Sequence, residues 1–192
     1  ALRAHRVEGI GEAFPLREAL SFLYDPLFAA IGLPGLVGAT PGNAVAPLPL
    51  GDILVGAYIC YESVFPQVAR QMAAAGAEVL VNISNDAWFG RTAGAEQHFQ
   101  MGRLRAIETR RYLARAGNDG ITAVIDPLGR VSMRFPRDER AVFAASLGLS
   151  DTMTSYVRWG DWVVALSVGV LVVLVLDAAL RLHAARKGAE GA

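Results

Sequence analysis

The sequence predicts an α/β fold, a sheet covered by helices, followed by one membrane-spanning helix. Three observations carry this reading. Apolar runs of strand length alternate with helix-length segments in the order β-α-β-α-β-β-β. The strand candidates are apolar along their whole length, as strands covered on both faces are. Near the end, Trp162–Leu176 reads WVVALSVGVLVVLVL, fifteen residues without a charge.

Residues 13–50 are rich in Pro, Gly and Leu. They predict short helical pieces at best, broken at Pro26, Pro34 and Pro41. Their Leu and Phe side chains suit either a core edge or lipid headgroups. Ile53–Cys60 is an apolar run of strand length. Val64–Ala75 reads as a helix with Pro66 in its first turn, where a missing N–H costs little, and Gly76 closes it. Glu78–Ser84, EVLVNIS, is a second buried-type strand. Thr92–Ala116 carries Ala95, Phe99, Gly102, Ala106 and Leu113 at helical spacing, which predicts one long helix ending at Gly117. Ile121–Asp126 and Arg130–Phe135 flank Pro127-Leu128-Gly129, a hairpin signal, and Ala141–Leu147 is a last strand.

The apolar run beginning at Trp162 is interrupted at Asp177 and extends to Leu180. Its nineteen residues rise roughly 28 Å as a helix, near the hydrocarbon thickness of a bilayer. Trp159 and Trp162 suit one membrane interface. Arg181, Arg186 and Lys187 suit the other, which the positive-inside rule makes cytoplasmic. Asp177 lies within a turn of that end, where its charge reaches water. This places the preceding residues on the outer side.

The length of 192 residues fits about one domain beside such a span. Zero net charge speaks against a nucleic-acid partner. One cysteine excludes an internal disulfide framework and a cysteine-based zinc site. His5, His98 and His183 show no metal-ligand spacing. The chain opens on Ala1 with no apolar signal region, so it is expected to begin inside a longer protein.

The lone cysteine stands in GAYICYESVFP, residues 56–66. Free cysteine is often a small buried apolar residue. Here Cys60 closes a strand just before a helix starting near Ser63. Such a junction lifts a side chain out of the sheet, and helix-start N–H groups favour a thiolate or an oxyanion. A base for the thiol could come from His98 on the long helix. Glu62 suits orienting a substrate, fixing the turn or favouring a helix start. The loop NISNDAWFG, residues 82–90, also follows a strand, so it should neighbour Cys60 at the strand ends. Trp88 and Phe89 in that loop either fill a local core or offer an apolar surface to an acyl chain or a membrane.

Four stretches together resemble the carbon–nitrogen hydrolase (nitrilase) superfamily and, within it, the membrane branch of apolipoprotein N-acyltransferases. They are ICYESVFP at 59–66, NISNDAWFGRTAGAEQHFQMGRLRAIETRR at 82–111, NDGITAVIDPLGR at 118–130 and SYVRWGDW at 155–162, followed by the final span. The resemblance implies part of an α-β-β-α sandwich over residues 1–158, a transmembrane helix over 159–183 and a cytoplasmic tail over 184–192. It implies a bacterial inner-membrane enzyme with a periplasmic catalytic domain, a phospholipid acyl donor and an apolipoprotein acceptor, and no cofactor or metal. The acyl chain would pass through a cysteine thioester to the N-terminal amine of a diacylglyceryl-cysteine. By this resemblance Cys60 is the nucleophile, and Tyr61 and Glu62 are the Tyr-Glu pair beside it. Trp88 and Phe89 are the aromatic pair of the lipid-binding loop. Glu12 is the family's second glutamate.

The chain departs from the family's Glu–Lys–Cys triad. An ungapped match from Glu12 puts Ala4 at the lysine, and one inserted residue brings Arg3-Ala4-His5 there instead. The only lysine is Lys187. An arginine at Arg3 donates to an oxyanion but does not exchange a proton. The triad glutamate, the membrane bundle and the first half of the sandwich are expected upstream of Ala1. Two other readings stand beside the acyltransferase: a non-catalytic remnant lacking the triad Glu and Lys, and a membrane-anchored amidase.

Overall fold

A computed structural model describes residues 21–30, 45–137, 139 and 142–190. Glu12, Arg3, Ala4 and His5 lie outside the described residues, as do the positions of the predicted breaks at Pro34 and Pro41. The described residues fall into two units that meet between Arg158 and Trp159.

The first unit is built on a six-stranded sheet in the order β1-β2-β3-β4-β5-β6. Helix α1 (Ser21–Ala30) precedes it. The strands are β1 (Leu48–Leu50), β2 (Ile53–Ile59), β3 (Val79–Asn85), β4 (Leu113–Asn118), β5 (Ala123–Ile125) and β6 (Val131–Arg134). The central β2, β3 and β4 run parallel, while β1, β5 and β6 are antiparallel to their neighbours. Parallel neighbours need crossovers. Helix α2 (Pro66–Ala74) joins β2 to β3, and α3 (Gly94–Thr109) joins β3 to β4. Both helices bury their apolar faces in one cluster with the sheet, including Met72 and Val68 of α2, Phe99 and Ala106 of α3, and Leu80, Leu113 and Ile125 of the strands. This is the mixed α/β, nitrilase-like architecture expected.

Several element readings need correction. Pro26 does not break α1; it lies inside the helix. Its fixed φ suits a helical backbone, so it forfeits a hydrogen bond without forcing an end. Strand β1 was not anticipated. It folds back on β2 across Gly51-Asp52, with Leu50 opposite Ile53 and Gly51 at φ 61, the left-handed turn geometry that Gly supplies.

The long helix predicted to reach Ala116 stops at Thr109. Arg110 turns left-handed at φ 55, and Leu113–Asn118 becomes β4. Leu113, taken as a helical core position, packs from a strand instead, with Leu80 as its register partner. A short apolar run fits either period, and the parallel pairing with β3 decides it. Strand β4 is therefore an additional strand between the second predicted strand and the hairpin, and the 121–135 hairpin forms as β5 and β6, antiparallel around Gly129.

Residues 142–150 are not a strand. Phe143, Ala145 and Leu147 alternate as a strand would, but they border a cavity with Val81, Ile83 and Ala114 on the sheet. Phe143 stacks on Phe135 with ring centroids 4.3 Å apart. The alternation serves contact with a sheet face, not an edge ladder. Helix α4 (Ser155–Trp159) follows, tied by Arg70 Nε donating to the Tyr156 carbonyl at 2.9 Å.

The second unit is helix α5 (Trp162–Glu190). Its stretch Trp162–Arg181 is long and apolar enough to cross a membrane. Every residue from 161 to 181 is exposed. Asp177 pairs with Arg181 one turn on, Oδ2 to Nε 2.8 Å. Trp159 and Trp162 meet edge to face at 6.3 Å.

Candidate active site

The site gathers where the parallel strands end. Strand β2 stops at Ile59, and Cys60 turns left-handed at φ 47. A residue with a Cβ adopts this region at a cost, roughly 1–3 kcal/mol, that surrounding structure must hold. Cys60 opens a 3-10 turn, Cys60–Val64, and α2 begins only at Pro66. The helix therefore starts later than the sequence suggested, with the tight turn between. Cys60 is half-buried, and its Sγ lies 3.8 Å from the Asn85 carbonyl at the end of β3. The two strand-end loops are neighbours, as expected.

Glu62 is buried, and its Oε2 accepts from the Ile59 backbone N–H at 2.6 Å. That contact closes the turn carrying Cys60. Tyr61 points outward, 47 % exposed, edge-on to Phe65 at 5.8 Å. Across the site, a second 3-10 turn, Ala87–Phe89, displays Trp88 at 88 % exposure. Phe89 is half-buried instead, its ring 5.6 Å from that of His98, while Tyr61 lies 6.0 Å from the same imidazole. The two loop aromatics thus divide: Trp88 faces outward and Phe89 packs.

Beneath these rings lies a polar cluster largely missed by sequence reading. Register aligns Tyr58, Asn82 and Arg115 across three strands on the helix-covered face. Arg115 donates Nη1 to Asn82 Oδ1 at 2.7 Å and Nη2 to Asp86 Oδ2 at 3.0 Å. Asp86 also accepts from Ser84 Oγ at 2.6 Å and from His98 Nδ1 at 2.9 Å. Burial opposes the charge on Asp86, but the hydrogen bonds from His98 and Ser84 and the Arg115 guanidinium outweigh it. They hold the carboxyl well below the usual carboxylate range. The fit requires Gly120, since a Cβ there would collide with Asp86 Oδ2. The motif NDAWFG named Asp86 as a loop residue. Nothing local showed that it would be buried, and Arg115 was read as helical.

His98 reaches this cluster from α3. Its Nε2 lies 2.9 Å from Ser63 Oγ and 3.2 Å from the Cys60 carbonyl. Asp86, His98 and Ser63 repeat the order of a hydrolase triad, but Ser63 is fully buried and cannot meet a substrate. The imidazole faces the backbone of Cys60, so these contacts do not form the Cys/His pair considered from the sequence. Among the described residues no cluster of His, Cys, Asp and Glu could hold a metal ion.

The family model described as carbon–nitrogen hydrolase matches residues 12–155. The chain is 40 % identical over 182 residues to a protein named apolipoprotein N-acyltransferase from Azotobacter vinelandii, covering 94 % of this chain and 33 % of that protein. It is 47 % identical over 122 residues to the protein of the same name from Gloeobacter violaceus, covering 64 % of this chain and 23 % of that one. The chain therefore spans about a third or less of the curated relatives it matches. A solved carbon–nitrogen hydrolase from Helicobacter pylori aligns with 56 % of this chain and 46 % of its own, at 21 % identity and a TM-score of 0.48.

Proposed function

Because this chain belongs to the carbon–nitrogen hydrolase family, we propose that it carries the nucleophile of a lipoprotein N-acyltransferase, with Cys60 as that nucleophile. The carrying observation is the backbone of Cys60. It is held left-handed at a parallel-strand end, at the turn where α/β hydrolases expose a nucleophile. The names of the relatives supply the reaction class.

The Cys60 thiolate attacks the ester carbonyl of a phospholipid. A C–S bond forms, the ester C–O bond breaks, and the lysophospholipid oxygen leaves with a proton. The amine of the acceptor lipoprotein then attacks the thioester. A C–N bond forms, the C–S bond breaks, and the amine proton returns the thiol. Glu62 serves by closing the turn that aims Cys60. Tyr61 and Trp88, both exposed beside it, meet the acyl chain, and Phe89 backs them from the packed side. Glu12 is assigned to the same site by resemblance. The apolar helix α5 anchors the unit at the bacterial inner membrane, with residues 1–158 periplasmic and the residues after 183 cytoplasmic.

The test is acyl-enzyme capture. The natural full-length protein incubated with phospholipid bearing a labelled acyl chain is expected to hold a hydroxylamine-sensitive label on Cys60. Cys60→Ala is expected to lose it entirely. A label of undiminished intensity in that variant would remove Cys60 from the mechanism.

A further inference from the structure

We infer that His98 is a positioning residue for Cys60: together with Asn82 it clamps the Cys60 carbonyl and so holds the nucleophile in its left-handed turn. The inference rests on the reading of Cys60 as nucleophile. The ladder between β2 and β3 ends at Ile59 and Ile83, so the Cys60 carbonyl has no strand partner. As the first residue of the 3-10 turn it faces the Ser63 N–H, and its second lone pair is open to side-chain donors. Two side chains supply them, His98 Nε2 at 3.2 Å and Asn82 Nδ2 at 3.4 Å. Asn82 Nδ2 also donates to the Tyr58 carbonyl at 3.2 Å.

Both donors are themselves held. Arg115 takes Asn82 by its Oδ1, which turns the amide nitrogen toward Cys60. Asp86 takes His98 by Nδ1, and Arg115 in turn takes Asp86. A carbonyl only accepts, so Nε2 is the donor toward Cys60, while Nδ1 lies 2.9 Å from Asp86 Oδ1 and 3.1 Å from Arg115 Nη2. Ser63 Oγ also lies 2.9 Å from Nε2. The residues Asn82, Asp86, Arg115 and His98 come from β3, the loop after it, β4 and α3. Four segments of the fold thus converge around the Cys60 carbonyl. His98 is buried, with the Phe89 ring 5.6 Å and the Tyr61 ring 6.0 Å from the imidazole, so little water competes for its hydrogen bonds.

The test compares two amides at position 98 in the natural full-length protein, purified in detergent. His98→Gln puts an N–H near the place of Nε2; His98→Asn reaches only the place of Nδ1. In His98→Asn, kcat for acyl transfer from phospholipid is expected to fall about a hundredfold, with KM within about twofold. Iodoacetamide labelling of Cys60, read by mass spectrometry, should slow in parallel. His98→Gln should recover about tenfold of the loss in both readouts, at the same thermal midpoint as His98→Asn. Equal impairment of the two variants, or His98→Asn within about twofold of the parent in both readouts, overturns the inference. Should His98→Asn fail to fold, Asn82→Asp keeps the acceptor for Arg115 and removes the donor to Cys60. Slowed labelling of Cys60 there supports the clamp, and unchanged labelling overturns it. The nucleophile reading fails separately, by undiminished acyl transfer in Cys60→Ala, and labelling still reports the geometry around Cys60.

Discussion

Asp86 is a carboxylate with no access to water, yet it stays ionised because a guanidinium, an imidazole and a hydroxyl all donate to it. Its folded pKa lies below the ordinary value of 3.8, so it binds a proton less readily in the folded chain than in the unfolded one. The stability it contributes is therefore present above about pH 4 and lost as pH falls below that value. Asp86→Asn removes the charge and leaves Arg115 buried without its anion, a loss of about 3–5 kcal/mol at neutral pH. Unfolding of parent and variant followed from pH 7 to pH 3 should show the gap narrowing below about pH 4, as the carboxyl takes up a proton in the unfolded chain while it stays ionised in the folded one. A gap that stays constant to pH 3 would mean that Asp86 is not the ionised partner.

Elements in this unit are joined by a single buried side chain as much as by apolar packing. Helix ends leave backbone carbonyls without partners. Arg111, fully buried, answers several at once. It donates to the carbonyls of Ala73 near the end of α2 and of Ala77 just past it. It also donates to Thr109 at the end of α3 and to Thr152 in the returning segment, the last at 2.8 Å. Burial lowers its pKa from the usual arginine value, and nearby Asp151 and Glu78 oppose that shift. Arg111→Met keeps the volume but leaves the Ala77, Thr109 and Thr152 carbonyls without this donor, while Ala73 keeps the Gly76 N–H, and should cost at least about 3 kcal/mol. Thermal and denaturant unfolding of the purified variant measures this. A loss under about 1 kcal/mol would mean that other groups satisfy the helix ends.

At the scale of the molecule, the sheet-bearing unit and α5 obey different solvents. The first buries a core between a sheet and two helices. The second exposes apolar side chains continuously from Val163 to Leu176, a surface that water disfavours and hydrocarbon accepts. Its one acidic residue within Trp162–Arg181 is paired near the basic end, which lowers the cost of placing it at an interface. A fluorescent protein that matures only in the cytoplasm, fused after Ala192, is expected to be bright. Alkaline phosphatase at the same place should be inactive. The opposite pair of results would reverse the orientation drawn from Arg181, Arg186 and Lys187.

What the sequence determined by itself is local. The apolar runs at 53–60 and 78–84, the Pro-Leu-Gly hairpin and the uncharged span each declare themselves within a few residues, because periodicity and turn chemistry act over that range. Cys60 at a strand end and its neighbouring aromatic loop were legible for the same reason. Tertiary structure alone decided the rest. Residues 113–118 are a strand because β3 pairs with them. Asn82 meets Arg115, 33 positions away, only through that register. His98 and Asp86 find each other because α3 crosses back over the ends of β2 and β3. A buried charge is stable only where its partners are brought to it, and such partners come from distant segments that no local pattern connects.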